Sequence, residues 1–170
     1  MVFAGVFAAL LPICAWLAVP VGDVVLTMQT FGVFLALRLL GGKWGTVSIL
    51  VYLLLGAVGL PVFSGFRGGP GMLLGITGGY LWGFLGSGLC YWALERVGKI
   101  PAMMAGLLVC YICGTVWFCF YGGETGMIAA LIKCVLPYLI PDFLKLVLAV
   151  RISRRLERFV LEMHKSPPGT

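Results

Sequence analysis

The sequence predicts an all-α integral membrane protein, a compact bundle of six transmembrane helices with both termini cytoplasmic. Three observations lead there. Of 170 residues, 61% are hydrophobic and 11% charged, where a soluble domain carries charge on about a quarter of its residues. The mean hydropathy is +1.09, and several apolar runs approach the roughly 20 residues that carry a helix across a bilayer. Basic residues cluster in alternate connections and near the C-terminus, the asymmetry that orients membrane proteins. No polar stretch is long enough for a second folded unit, so residues 1–158 read as one transmembrane domain and 159–170 as a short polar cytoplasmic tail.

Glycine, proline and charge divide the chain into apolar segments at 2–19, 24–40, 46–60, 73–94, 101–121 and 140–152. The first has no basic leader and no small-x-small cleavage site between Ala15 and Ala18, so it reads as a retained helix rather than a signal peptide. Within it Ala4 and Ala8 form a small-xxx-small pair, with Gly5 and Ala9 offset by one residue; such a face packs internally or receives a partner helix. Arg38 and Lys43 flank the connection between the second and third segments. In the fourth, Gly75, Gly79 and Gly83 recur every four residues and Ser87 continues the line, which admits close backbone approach. The region 125–136, interrupted by Lys133, reads as a short surface helix. Proline is favoured in a first turn, so Pro141 is expected to open the last helix with Asp142 beside it; the alternative is one long helix from Gly126, kinked at Pro137 and Pro141.

Arg38 and Lys43 flank one connection, Arg96 and Lys99 another, and five basic residues lie between Arg151 and Lys165, whereas the remaining connections hold only Asp23, Arg67 and Glu124. The positive-inside rule then places VPVGD, PVFSGFRGGPG and YGGETG on the outer side. The basic excess, twelve Lys and Arg against six Asp and Glu, is accounted for by membrane orientation and headgroup contact, not by nucleic acid.

Enzymatic signatures are missing: there is no H-E-x-x-H, no nucleophile elbow with a histidine partner and no P-loop. SGFRGGPG reads as a tight outer loop. The six cysteines lie almost wholly in apolar runs, and the C-x-x-C of Cys110 and Cys113 lacks a second ligand pair, since the one histidine, His164, is in the tail. They read as small apolar side chains, with no metal site.

Asp142 and Lys145 stand out within LPYLIPDFLKLVLAV. A charge facing hydrocarbon costs at least about 2.5 kcal/mol, so each needs a partner or a ligand. Three residues apart, they share a helix face and can neutralise each other. Equally, an acceptor-only carboxylate beside a donor-only ammonium suits a ligand with adjacent N–H and C=O groups, such as a urea or amide.

QTFGVFLALRLLGGKWG, then YLLLGAVGLPVFSGF, GMLLGITGGYLWGF and finally PDFLK resemble, in the same order, the BioY family. These are the biotin-specific substrate-binding (S) components of energy-coupling-factor (ECF) transporters. The resemblance implies a multi-pass protein of a prokaryotic cell membrane that is not an enzyme. It would use no cofactor, capture biotin near its outer face, and work with a transmembrane coupling protein and two ATP-binding-cassette ATPases. The family motif positions fall on Gln29, on Gly59, Leu60, Pro61, Val62 and Phe63, on Thr77, Gly78, Gly79 and Tyr80, and on Asp142 and Lys145. Small-xxx-small faces on the first helix of S components meet the coupling protein, which implies that role for Ala4 and Ala8. Two departures stand out: Ile76 replaces the proline of the family's GPTGGY, and Gly22-Asp23-Val24 replaces a proline upstream of TMQT.

Biotin offers a flat ureido ring with two N–H groups and a carbonyl, a thioether ring and a carboxylate tail. In this reading Asp142 accepts ureido N–H bonds, Lys145 donates to the ureido oxygen or balances Asp142, and Tyr80 and Phe63 cover the apolar ring faces. Arg67 and backbone amides are the candidates for the carboxylate. Two alternatives stand beside it: an S component for another small vitamin or carboxylate, and a structural bundle with no transport role.

Overall fold

A β-hairpin interrupts the predicted all-helical pattern at its first connection. The computed structural model describes residues 2–21, 24–121 and 127–165. Helix α1 (Val2–Trp16) is followed by strands β1 (Ala18–Val21) and β2 (Val24–Thr27), antiparallel with Ala18 opposite Thr27 and Val21 opposite Val24. The segment expected to start a helix at Val24 is therefore extended as far as Thr27. Its β-branched residues favour a pleated strand over a helix. Asp23, Glu124 and residues 166–170 of the expected tail lie outside the described residues.

Helix α2 (Gln29–Ala57) is two helices joined at Gly41, whose φ of 79° and ψ of 167° are open only to glycine. The arms fold back on each other: a Cβ on Gly45 would lie 2.7 Å from the Leu37 Cα, although eight residues of continuous helix span about 12 Å. Glu95 accepts the Gly42 amide at 2.7 Å, satisfying a donor that the new helix start leaves open.

The expected 73–94 helix divides into α3 (Pro70–Leu74) and α4 (Gly78–Leu94). Gly75 and Ile76 sit in the break, so the helix begins later than the line of glycines suggested. Two indoles hold this junction, Trp117 donating to the Gly75 carbonyl at 2.9 Å and Trp82 to that of Leu73 at 3.2 Å. Helix α5 (Lys99–Tyr121) packs along α4. Gly79 and Gly83 allow this, because a Cβ on Gly79 would meet the Trp117 side chain at 2.2 Å and one on Gly83 the Cys110 Cα at 3.1 Å.

Helices α6 (Met127–Cys134) and α7 (Leu136–Lys165) meet at Val135. Pro137, not Pro141, occupies the first turn of α7; Pro141 is inside the helix and Asp142 lies in the second turn. Neither expected arrangement is reproduced in full. The chain is one short helix and one long one, separated by a single residue.

Helices α1, α4 and α7 all pack against α2, around a core that includes Phe34, Ile49, Tyr52, Phe84, Tyr91 and Met103. By length and composition α5 can cross a membrane, with a mean hydropathy of 2.0; α2, at 1.5, meets the same length only when its two arms are taken together. The outward faces are apolar as well: Leu54, Leu108, Ile112, Ile140 and Leu144 are all exposed. Such continuous apolar surface suits lipid rather than water. On α1, Ala4 and Ala8 are buried on the face turned into the bundle, while Gly5 and Ala9 are exposed. The pair expected to meet a partner, Ala4 and Ala8, is thus the one covered by its own chain.

Candidate ligand-binding site

One end of the bundle encloses a cavity of about 210 Å³. The hairpin contributes Val25, Leu26 and Thr27, the start of α2 Gln29 and Thr30, the following loop Phe63, Ser64 and Arg67, and the helices the remaining walls.

Its floor is built on α5 and α7. Lys145 Nζ donates to Asp142 Oδ1 at 2.8 Å, and Tyr111 donates its hydroxyl to Asp142 Oδ2, also at 2.8 Å. All three residues are buried. Two partners thus hold one carboxylate, and of its roughly four lone-pair positions two remain for a ligand. Among the described residues, Asp142 is the side-chain partner of Lys145, leaving N–H donors on the same group for a neighbouring acceptor. The pair supplies acceptors and donors side by side in a low-dielectric wall, where each hydrogen bond counts for more than in water.

The opposite wall is fixed by a relay of contacts. Gln29 donates from Nε2 to the Tyr52 hydroxyl at 2.6 Å and accepts from Thr27 Oγ1 at 3.0 Å. The Tyr52 ring meets Phe63 edge-on, with centroids 5.5 Å apart and planes at 87°. Phe63 fits because Gly56 has no side chain: a Cβ there would lie 2.0 Å from the phenyl ring. Tyr80 lies in the space left by Gly114, where a Cβ would come within 2.3 Å of its ring. Its hydroxyl donates to the Cys134 carbonyl at 3.1 Å. That carbonyl borders the α6–α7 junction, where the Tyr138 amide donates to the Val135 carbonyl at 3.0 Å.

Six of the expected ligand residues, Gln29, Phe63, Thr77, Tyr80, Asp142 and Lys145, line the cavity. Gly78 and Gly79 do not; a Cβ on Gly78 would strike the Leu73 carbonyl at 2.1 Å, so both serve close packing around the start of α4. Tyr111 and Tyr138 also line the cavity but were not singled out from the sequence. A tyrosine inside an apolar helix was the available signal, since a buried phenol normally finds a hydrogen-bond partner.

The sequence profile described as the BioY family matches residues 1–162. The chain belongs to the BioY family. A BioY relative from Thermotoga maritima, named biotin transporter BioY, is 38% identical over 167 residues, covering 95% of this chain and 98% of its own. A second from Pyrococcus horikoshii, named probable biotin transporter BioY, is 41% identical over 152 residues, covering 89% and 91%. The solved structure of the S-component for biotin from an ECF-type ABC transporter superposes with a TM-score of 0.85 at 28% identity, covering 92% of this chain and 89% of the other. The BioY fold is thus the helical fold of an ECF S component, and the chain is a membrane transport protein rather than an enzyme.

Proposed function

We propose that this BioY chain captures biotin in the cavity beside Asp142 and Lys145 and delivers it through a complex with an energising module. One observation carries the assignment to this site: a buried carboxylate, held by Lys145 and Tyr111, that still has acceptor positions on a cavity wall. Two ureido N–H groups match those acceptors, and the adjacent ureido oxygen matches the ammonium. Phe63 and Tyr80 supply aromatic surface for the fused rings. Arg67, exposed yet lining the cavity, is placed to meet the carboxylate at the mouth.

The reading extends to topology. Six spanning segments correspond to α1, the two arms of α2, α4, α5 and α7, with the basic turns and both termini cytoplasmic and the hairpin end outside. The partners are a transmembrane coupling protein and two ATP-binding-cassette ATPases. The exposed Gly5 and Ala9 give α1 a smooth face for the coupling protein.

Purified chain in nanodiscs, titrated with biotin and followed by tryptophan fluorescence, tests the assignment. Saturable binding without any other subunit is expected. A folded protein that ignores biotin would overturn it.

A further inference from the structure

The far half of α7 carries a surface that biotin capture does not use. Arg151, Arg154, Arg155 and Arg158 are exposed and border one shallow surface depression. Spacings of three and four residues keep them on one helix face. Traced back along α7, the same face carries Ile140, Leu144, Val147 and Leu148, all exposed, while Asp142, Leu146, Ala149 and Ser153 are buried on the other side. The outward stripe is apolar first and guanidinium afterwards.

Two contacts fix the level of this change. Arg38 Nε donates to Ser153 Oγ, and Lys99 Nζ pairs with Glu157 Oε1 at 3.4 Å. Arg38 precedes the Gly41 turn and Lys99 opens α5, so the arginines lie level with the basic turns that carry Lys43 and Arg96. Lys43 Nζ stands 5.6 Å from the Trp44 ring centroid, and tryptophan with lysine is a common membrane-interface anchor. Glu157 pairs with Lys99, and among the residues whose side chains are described, which end at Arg158, no carboxylate pairs with the four arginines.

We propose that this arginine face is a binding site for the phosphate groups of anionic phospholipids in the leaflet at the basic end of the bundle. Continuity decides the occupant: a stripe that meets acyl chains reaches the phosphate layer as it continues along the helix. The guanidinium fork matches phosphate oxygens in a way a lysine cannot. A soluble acidic protein would explain the charge but not the apolar stripe leading into it.

Native mass spectrometry of the full chain, incubated with phosphatidylglycerol or phosphatidylcholine, tests this. The wild type is expected to retain the anionic lipid at least ~10-fold better. Replacing all four arginines by glutamine should abolish that preference, and replacing all four by lysine should keep only part of it. Biotin binding by the same variants reports folding, so failure here is distinct from failure of the transport assignment. If the fourfold glutamine variant does not fold, Arg155→Gln with Arg158→Gln should halve the preference or more. Equal retention of both lipids by the wild type, or an undiminished preference in the glutamine variants, overturns the proposal. So does a variant that keeps its lipid preference but no longer co-purifies with the energising subunits, which would make this a protein contact.

Discussion

Tyr111 on α5 donates its hydroxyl to Asp142 on α7 at 2.8 Å, engaging the carboxylate oxygen that Lys145 leaves open. The two helices are thereby joined at the cavity floor, and the carboxylate is held from two directions before any ligand arrives. A hydrogen bond to a charged group is worth about 1.5–3 kcal/mol. Tyr111→Phe keeps the ring and removes only that bond, so biotin affinity should fall by roughly 10- to 100-fold with the fold retained. Isothermal titration measures this, and unchanged affinity would show that Tyr111 does not position Asp142.

Removing one member of the buried pair should be worse for stability than removing both. A lone buried charge costs about 3–5 kcal/mol, so Asp142→Asn and Lys145→Met should each lower the thermal midpoint in detergent. The double variant should recover much of the stability but none of the affinity. Biotin binding by the double variant at wild-type strength would reduce the pair to a structural ion pair.

The proposed site gives Arg67, which lines the cavity, the carboxylate end of the ligand. Arg67→Gln should weaken biotin binding while leaving binding of biotin methyl ester unchanged, because the ester carries no charge for the guanidinium to meet. The exposed position limits the expected loss to about tenfold or less. Parallel loss of both ligands would place Arg67 in loop structure instead.

Gly41 is at the opposite end of the bundle from the cavity, and a side chain there is strained by about 1–3 kcal/mol. Gly41→Ala should reduce thermal stability while biotin affinity remains within about twofold in the folded fraction, given additivity of distant sites. Thermal unfolding and titration on the same sample distinguish the two effects.

On α1, Gly5→Leu with Ala9→Leu should impair biotin uptake by cells while leaving binding by the isolated chain intact. Ala4→Leu with Ala8→Leu should instead destabilise the bundle, since overpacking costs about 1–3 kcal/mol. Normal uptake by the Gly5 and Ala9 variant would remove α1 from the docking surface.

Much of the fold was legible because hydrophobicity and turn chemistry are local properties. The apolar runs mark most helical segments, whereas the line of glycines places Gly75 inside a helix that breaks there. The hairpin was missed because Val24 to Thr27 is as apolar as a helix start, and four residues are too few for periodicity to separate the two. At the α6–α7 junction two prolines competed for one first turn, and only packing selected Pro137.

Local residue patterns were enough for the membrane character, the family motifs and the need of Asp142 and Lys145 for a partner. The tertiary structure decided which residues share the cavity. Tyr111 and Asp142 are 31 positions apart, and no local pattern links them. It also decided that Gly78 and Gly79 pack while Tyr80 lines the wall, and that Gly5 and Ala9, not Ala4 and Ala8, are exposed. One residue along a helix is a rotation of about 100°, and only the neighbouring helices set which of two adjacent small pairs is turned outward.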